Sequence, residues 1–208
     1  MAGTQKSLVY IVDDDDLVRQ TIMAMTRAIG YEVQSFSSGV EFLDALPELT
    51  QGAILLDVRM PGIDGLAVLE QVKRLWPNAP VIMMSGQGDI PMAVRAMQSG
   101  ASDFVEKPVS LDVVSQALQS ALERKPTRTE PVATPDIPAN PLDLLSDREA
   151  EVFKHLVRGD QNKQVAKKLG ISHRTVEVHR ARIMKRLDVT TIAQLVRMAI
   201  HAGIEVTD

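Results

Sequence analysis

The sequence predicts an α/β domain with a doubly wound, parallel, five-stranded sheet, followed by a small all-α domain of the helix-turn-helix kind. Three observations predict this arrangement. Short apolar runs alternate with helical patterns up to residue 124, only helical patterns follow residue 142, and five of the 11 prolines crowd between Pro126 and Pro141. Alternating strands and helices are typical of a parallel sheet covered on both faces. A proline-rich stretch is typical of an extended linker. We therefore expect domains at 1–124 and 142–208, joined by a linker at 125–141.

The strands of the first domain are predicted from short apolar runs, and its helices from apolar residues at helical spacing. Gly30 and Gly100 each follow a predicted helix, where glycine commonly ends one. The expected strands are 8–12, 32–36, 52–57, 80–84 and 103–106, and the expected helices are 17–29, 38–46, 65–75, 90–99 and 110–124.

The second domain shows the start and stop signals of four helices. Ser146 and Glu149 have the spacing of a capping box, and Gly159 ends the helix that they begin. A short helix over 162–169 ends at Gly170, and Ser172 begins the next, which runs to residue 187. The last helix covers about 191–202. A tight glycine turn followed by a basic helix is typical of a helix-turn-helix.

Composition excludes several classes of protein and shows that the first domain is acidic and the second basic. Without cysteine there is no disulfide framework and no thiolate site. No apolar run approaches the roughly 20 residues of a membrane helix, so we expect a cytoplasmic protein without a membrane partner. Residues 1–122 hold 8 basic and 15 acidic residues, a net −7, whereas residues 142–208 hold 12 and 9, a net +3. The basic second domain points to a polyanion as its partner.

Acidic residues follow two of the predicted strands. Asp57 ends the apolar run 53–56, and four acids, Asp13 to Asp16, follow the strand at 8–12. The carboxyl ends of parallel strands meet at the sheet edge where such folds bind ligands. Clustered carboxylates stay ionised when a cation shares the site, so we expect a metal there and a nucleophilic role for Asp57. Four acids alone are usually a solvated loop, and we expect Asp15 and Asp16 to be solvated or to serve the following helix N-terminus.

Several separated residues of the first domain form one recognisable set: Asp13, Asp14, Asp57, Met60, Pro61, Gly62, Ser85, Gly86, Phe104, Lys107 and Pro108. With them, residues 7–124 resemble the receiver domain of bacterial response regulators, and the segment 86–97 is similar to the FixJ-like subfamily. A second set lies in the segments 145–149, 162–166, 169–172 and 174–180, with Gly159 between the first two. With these, residues 142–206 resemble the LuxR-type helix-turn-helix of the FixJ/NarL family.

The receiver resemblance implies a phosphoacceptor site. Asp57 would take a phosphoryl group from a phosphohistidine of a sensor kinase. Lys107 and Ser85 would contact that group, and Ser85 and Phe104 would form the switch. Asp14, Asp57 and the backbone carbonyl of Arg59 would hold Mg²⁺, and Asp13 would contribute to the metal site through water. Arg59 and Gln87 flank the site, and the direction of their effect on hydrolysis stays open.

The LuxR-type resemblance implies a recognition helix over 175–187. Its expected contacts with base edges come from Glu177, Val178 and Ala181. Its expected phosphate contacts come from Lys163, Arg174, Thr175, Arg180 and Lys185. We expect Val176, Ile183 and Leu187 in the core, and Arg182 and Arg186 in solvent. Two alternatives stay open: His179 is packed inside the domain or contacts DNA, and the last helix forms a dimer interface or packs against residues 152–157.

Together these observations predict a response-regulator transcription factor rather than an enzyme. Phosphorylation would promote homodimerisation and binding to double-stranded DNA, with RNA polymerase as a further candidate partner. The alternatives are a DNA-binding regulator that is independent of phosphorylation and dimerises through its receiver, and a phosphorelay carrier. An aspartate-nucleophile phosphatase would need an acid two residues after Asp57, where Arg59 stands. Segments 107–110 and 174–182 also resemble regulators of tetrathionate or other respiratory responses.

Overall fold

The computed structural model describes residues 7–86, 90–122, 140–189, 191–204 and 206. The chain divides into two compact units, which are described one at a time. Gln87 and residues 125–139 of the predicted linker lie outside the described residues. The predicted tuning role of Gln87 and the linker therefore stay predictions.

The first unit is built on a five-stranded, all-parallel sheet, which confirms the predicted fold class. The strands are β1 (Leu8–Val12), β2 (Glu32–Phe36), β3 (Ala53–Asp57), β4 (Val81–Ser85) and β5 (Asp103–Glu106), in the order β2-β1-β3-β4-β5. Every residue of β3 and β4 is buried, as their continuous apolar runs predict. Their carboxyl ends therefore open side by side at one edge of the sheet.

Five helices follow the strands in turn, and short polar side chains cap the first three of them. They are α1 (Asp16–Ala28), α2 (Gly39–Ala45), α3 (Gly65–Leu75), α4 (Ile90–Gln98) and α5 (Leu111–Leu122). The side chain of Asp15 accepts hydrogen bonds from the backbone N–H groups of Leu17 and Val18, which confirms its predicted place at a helix N-terminus. Ser38 and Asp64 cap α2 and α3 in the same way. A 3-10 turn over Leu46–Glu48 was not predicted.

The two faces of the sheet bury different kinds of side chain. One face carries a cluster of aliphatic residues from β1, β3, β4 and β5 that packs with residues of α1 and α5. The other face holds Tyr10 among three further rings, Phe36, Phe42 and Trp76, with centroids 5.1 to 6.2 Å apart. The Tyr10 hydroxyl donates a hydrogen bond of 2.6 Å to the Thr50 carbonyl. Because both faces are filled, the strand ends have little freedom to shift.

The described residues from 140 onward form four helices, as predicted, preceded by a 3-10 turn over Pro141–Leu144 that was not predicted. The helices are α6 (Asp147–Val157), α7 (Asn162–Leu169), α8 (His173–Arg186) and α9 (Ile192–His201). Both hydrogen bonds of the Ser146–Glu149 capping box are present. Gly170 ends α7 with φ 64°, a left-handed conformation that favours glycine, and Ser172 caps α8.

The apolar face of α9 is buried within its own unit. Leu195, Val196 and Ala199 have no exposed surface, and α9 packs against α6. The core-packing alternative therefore holds for these three side chains. Among the described residues, no helix is both long enough and apolar enough to cross a membrane.

Candidate functional site

The acidic residues that follow β1 and β3 meet at one edge of the sheet. β1 and β3 are neighbours, with Val12 opposite Leu56, so Asp13 and Asp57 emerge side by side. Carboxylate oxygens of Asp13, Asp14 and Asp57 lie within 4.8 Å of one another. Asp13 and Asp57 are buried and Asp14 is exposed. The predicted juxtaposition of three carboxylates is therefore present.

Lys107 reaches this cluster from the end of β5. Its Nζ lies 2.7 Å from Asp13 Oδ2 and 2.9 Å from Asp57 Oδ1. Its backbone N–H donates to the Ser85 carbonyl at 2.7 Å, and the Lys107–Pro108 peptide bond is cis. One ammonium group thus faces three carboxylates, which leaves the cluster with a net negative charge.

The pKa values of Asp57 and Lys107 reflect this excess of negative charge. Burial raises the pKa of the Asp57 carboxyl, and the charges of Asp13 and Asp14 add to that rise, against the lowering effect of Lys107. Burial alone would lower the pKa of Lys107, but its hydrogen bonds to Asp13 and Asp57 outweigh burial and raise it. The lysine is therefore held as a cation, while the carboxylates remain short of positive charge.

Arg19 holds the loop that carries Asp13, a role that was not predicted from the sequence. Its Nη1 donates a hydrogen bond of 2.7 Å to the Asp13 carbonyl, and its guanidinium also pairs with Asp16. Asp13 Oδ1 accepts from the Asp15 backbone N–H at 3.0 Å. The signal that could have found Arg19 is its spacing of one helical turn from Asp16. Asp13 is therefore oriented from three sides.

The remaining predicted residues of this site lie near the same edge. Ser85 ends β4, one position beyond Met84, which stands opposite Asp57, and Ser85 is buried. Phe104 is buried on β5, opposite Met83. The Arg59 side chain is exposed two residues after Asp57. The switch roles of Ser85 and Phe104 and the ligand role of the Arg59 carbonyl stay predictions.

The acidic cluster fits a hard divalent cation. Its donors are all carboxylate oxygens, and Asp13 is oriented by hydrogen bonds from Asp15 and Lys107. Mg²⁺ prefers oxygen ligands and commonly uses only a few carboxylates while keeping several waters. The exposed Asp14 leaves the cluster open to solvent on one side. A cation bound there would supply the positive charge that Lys107 alone does not.

The helix α8 presents the candidate nucleic-acid surface of the second unit. Val176 and Ile183 are buried along α8, and Leu187 is buried just past its end, as predicted. Arg174, Glu177, Val178, Ala181 and Lys185 are exposed, Thr175 and Arg180 are half-buried, and Lys163 is exposed on α7. The Thr175 hydroxyl lies 2.7 Å from the Ser172 hydroxyl at the start of the helix. The residues predicted for base contact therefore share an accessible face.

A buried carboxylate ties the end of α8 to α6. Arg186 is exposed as expected, but its Nη1 also donates to Glu149 Oε2 at 2.7 Å, a contact that was not predicted. Hydrogen bonds from the Ser146 backbone and hydroxyl hold the pKa of Glu149 below its usual value, and the charges of Arg186 and His179 contribute. His179 is half-buried, with a Nδ1 atom that is buried without a hydrogen-bond partner among the described residues. This favours a packed histidine over a DNA contact.

We predict that Lys107→Met destabilises the first unit by about 3 kcal/mol without Mg²⁺, because two buried carboxylates lose their shared cation. Mg²⁺ should restore part of this loss, since the folded acidic cluster binds it and the unfolded chain does not. Trp76, the one tryptophan of the chain, packs beside Tyr10 and reports denaturant unfolding by its fluorescence.

Lys73→Met is the matched control for this measurement. Lys73 is also a half-buried lysine, but its Nζ donates to the Ala79 carbonyl at 2.7 Å rather than to a carboxylate. Lys73→Met should lower the free energy of unfolding by about 1–2 kcal/mol. Mg²⁺ should stabilise this variant by the same amount as it stabilises the wild type. An equal gain from Mg²⁺ in both variants would show that Lys107 does not compensate the acidic cluster.

Both units match known families. The response regulator receiver domain matches residues 9–119, and the luxR family of bacterial regulatory proteins matches residues 143–199. The transcriptional regulatory protein FixJ of Bradyrhizobium diazoefficiens is 38% identical over 201 residues, which cover 96% of this chain and 98% of FixJ. The response regulator protein TodT of Pseudomonas putida is 42% identical over 193 residues, covering 92% of this chain and 85% of TodT.

Solved structures agree with this relationship. A crystal structure of full-length FixJ from B. japonicum is 36% identical, covers 96% of this chain and 98% of its own, and superposes with a TM-score of 0.54. The receiver match covers β2 to β5 and nearly all of β1, and the luxR match covers α6 to α8 and most of α9. The chain therefore belongs to the response regulators that join a receiver domain to a LuxR-type DNA-binding domain.

Proposed function

We propose that Asp57 is the phosphoacceptor and that its phosphorylation controls DNA binding by the second domain. The observation that carries the proposal is the position of the Asp57 carboxylate. It lies at the end of a central strand, 2.9 Å from the Lys107 ammonium and beside two further carboxylates. A nucleophilic carboxylate, a cation and an acidic metal site together are the requirements for phosphoryl transfer to aspartate.

The proposed reaction transfers a phosphoryl group from a phosphohistidine of a sensor kinase. One Asp57 oxygen forms a bond to phosphorus while the bond between phosphorus and the imidazole nitrogen breaks, and the histidine leaves. An acyl phosphate results. Lys107, already within 2.9 Å of Asp57, pairs with the phosphoryl oxygens as charge moves onto them. Ser85, at the end of the neighbouring strand, donates its hydroxyl to the same group.

The acidic cluster supports Mg²⁺ as the cofactor of this transfer. Asp13, Asp14, Asp57 and the Arg59 carbonyl would hold it. When bound, Mg²⁺ offsets the repulsion between the carboxylates and the phosphoryl oxygens. Arg19 keeps Asp13 in place through the Asp13 backbone carbonyl. The chain itself therefore supplies the orientation on which the reaction depends.

Phosphorylation changes the charge of the pocket and thereby its surroundings. It adds about 1.5 to 2 negative charges beside three carboxylates, of which only Asp13 and Asp57 pair with Lys107. Ser85 and Phe104, both buried on adjacent strands, would move with the new group and alter the surface of the receiver domain. A second copy of the chain is the proposed partner for that surface. FixJ is named a transcriptional regulatory protein, which supports a role for this chain in transcription.

The exposed face of α8 supports sequence-specific contact with double-stranded DNA. Glu177 would accept a hydrogen bond from a cytosine amino group, and Val178, 43% exposed, would contact a thymine methyl group. Ala181 lies on the same face. The basic residues Lys163, Arg174, Arg180 and Lys185, together with Thr175, would contact phosphates and set the position of the helix in the groove.

We predict that acetyl phosphate with Mg²⁺ adds one phosphoryl group to the chain and that Asp57→Ala abolishes this gain in mass. Light scattering should detect a shift to dimer in the wild type alone, because the switch needs the new charge. Asp103→Asn is the matched control, since Asp103 is a buried acid at the opposite end of β5 from Lys107. It should be phosphorylated as the wild type is.

Two results would count against this proposal. A label that survives Asp57→Ala would place the phosphoacceptor elsewhere. Asp57→Asn that binds DNA as tightly as the phosphorylated wild type would favour the alternative regulator that is independent of phosphorylation.

For the DNA interface, we predict that Glu177→Gln and Lys185→Ala act differently. A duplex selected from a random library serves as the operator, and fluorescence anisotropy measures binding to it and to a scrambled duplex. Glu177→Gln should relax the preference for the operator by about 1–3 kcal/mol. Lys185→Ala should weaken binding to both duplexes by the same factor. It should also reduce, by about 1, the steepness with which the logarithm of the binding constant falls with the logarithm of salt concentration.

Arg182→Ala provides the control, because Arg182 is an exposed arginine of the same helix without a predicted DNA contact. It should change binding less than Lys185→Ala does. If Glu177→Gln weakened the operator and the scrambled duplex equally, Glu177 would not read base edges.

A further inference from the structure

The first residue of α3 lies against the backbone of Asp57. Gly65 donates its N–H to the Val58 carbonyl at 2.9 Å, so the helix begins directly beneath the end of β3. A Cβ atom at Gly65 would lie 2.9 Å from Val58 Cα and 3.0 Å from the Asp57 carbonyl carbon, and closer still to the Asp57 carbonyl oxygen. Side chains do not approach backbone atoms this closely, so any residue other than glycine must displace something.

The surroundings leave few ways for that displacement to occur. β3 lies between β1 and β4, and the Val58 N–H is held by the Met84 carbonyl at 2.9 Å. On the other side, α3 is anchored by Val68, Leu69 and Val72, none of which has exposed surface. The packed sheet and the packed helix α3 therefore meet at the end of β3, where Asp57 lies.

We propose that Gly65 is a positioning residue for the phosphoacceptor: its missing side chain lets α3 pack against Asp57 without shifting the carboxylate away from Lys107 and Asp13. The inference rests on the proposed function of Asp57. Helix propensity alone favours alanine over glycine at a helical position, so a loss of function in Gly65→Ala would be a steric effect. A displacement of about 1 Å in a catalytic group can cost about a hundredfold in rate.

Gly39→Ala is the matched control. Gly39 is likewise the first residue of a helix, α2, and follows a capping side chain, that of Ser38. An added Cβ would lie 2.6 Å from Val68 Cγ2 and 2.7 Å from Ile63 Cγ2. These are the ends of side chains rather than the backbone of Asp57. Both substitutions therefore crowd the same side of the domain, but only one presses on the phosphoacceptor.

The experiment compares wild type, Gly65→Ala and Gly39→Ala in the full chain. The initial rate of phosphoryl uptake from acetyl phosphate with Mg²⁺ is measured by mass against acetyl phosphate concentration. Hydrogen exchange of a peptide covering residues 55–62, without metal, reports the backbone of the junction. Trimethylamine N-oxide, which favours folded states, is added for all three proteins so that each remains folded.

We expect Gly65→Ala to lower the maximal phosphorylation rate about tenfold or more and to speed exchange in the 55–62 peptide. Gly39→Ala should stay within about twofold of wild type in both, because side-chain ends can move. Wild-type rate and exchange in Gly65→Ala would overturn the inference. So would an equal loss in Gly39→Ala, or a Gly65→Ala protein that stays unfolded, since each indicates a role in stability alone. Failure of the wild type to take up phosphate at Asp57 would instead overturn the proposed function.

Discussion

A cluster of three carboxylates, two of which share one lysine, is the constraint on which the first domain depends. Asp13 and Asp57 are buried at adjacent strand ends, and Lys107 reaches both from β5. Burial of like charges is costly, and it raises the pKa of Asp57. Hydrogen bonds from Asp15, Arg19 and Lys107 to Asp13 offset part of this cost. A pocket that is short of positive charge is also one that responds strongly to a cation or a phosphoryl group.

The second domain also buries a carboxylate, that of Glu149, and stabilises it by hydrogen bonds. Glu149 accepts hydrogen bonds from the Ser146 backbone and hydroxyl and from Arg186, all on one oxygen. These bonds connect the first turn of α6 to the last turn of α8. The helix α8 is therefore anchored at its C-terminal end by charge, along its length by Val176 and Ile183, and at its start by Ser172. Val178 and Ala181 stay exposed on its outer face.

The fold and the main site residues could be predicted from the sequence because their signals are local. Buried parallel strands appear as apolar runs, caps appear as Ser or Asp before a helix, and Asp13 and Asp57 stand at strand ends. What could not be predicted depends on contacts across the fold. Arg186 reaches Glu149, 37 positions away, and Gly65 is pressed against a strand end by packing on both sides. Nothing in their local sequence distinguishes these residues from an ordinary solvated arginine or a loop glycine.

Direct measurement of cation binding tests whether the acidic cluster is short of positive charge and therefore binds a divalent cation. Mn²⁺ can replace Mg²⁺ at oxygen sites and is counted by electron paramagnetic resonance. The wild type should bind one Mn²⁺ per chain in competition with Mg²⁺, and Asp13→Asn should bind it at least about tenfold more weakly because the cluster loses a buried carboxylate. Asp44 is an exposed acid of α2 and offers a control, so Asp44→Asn should bind as the wild type does. Equal binding by Asp13→Asn and the wild type would contradict a cation site at this cluster.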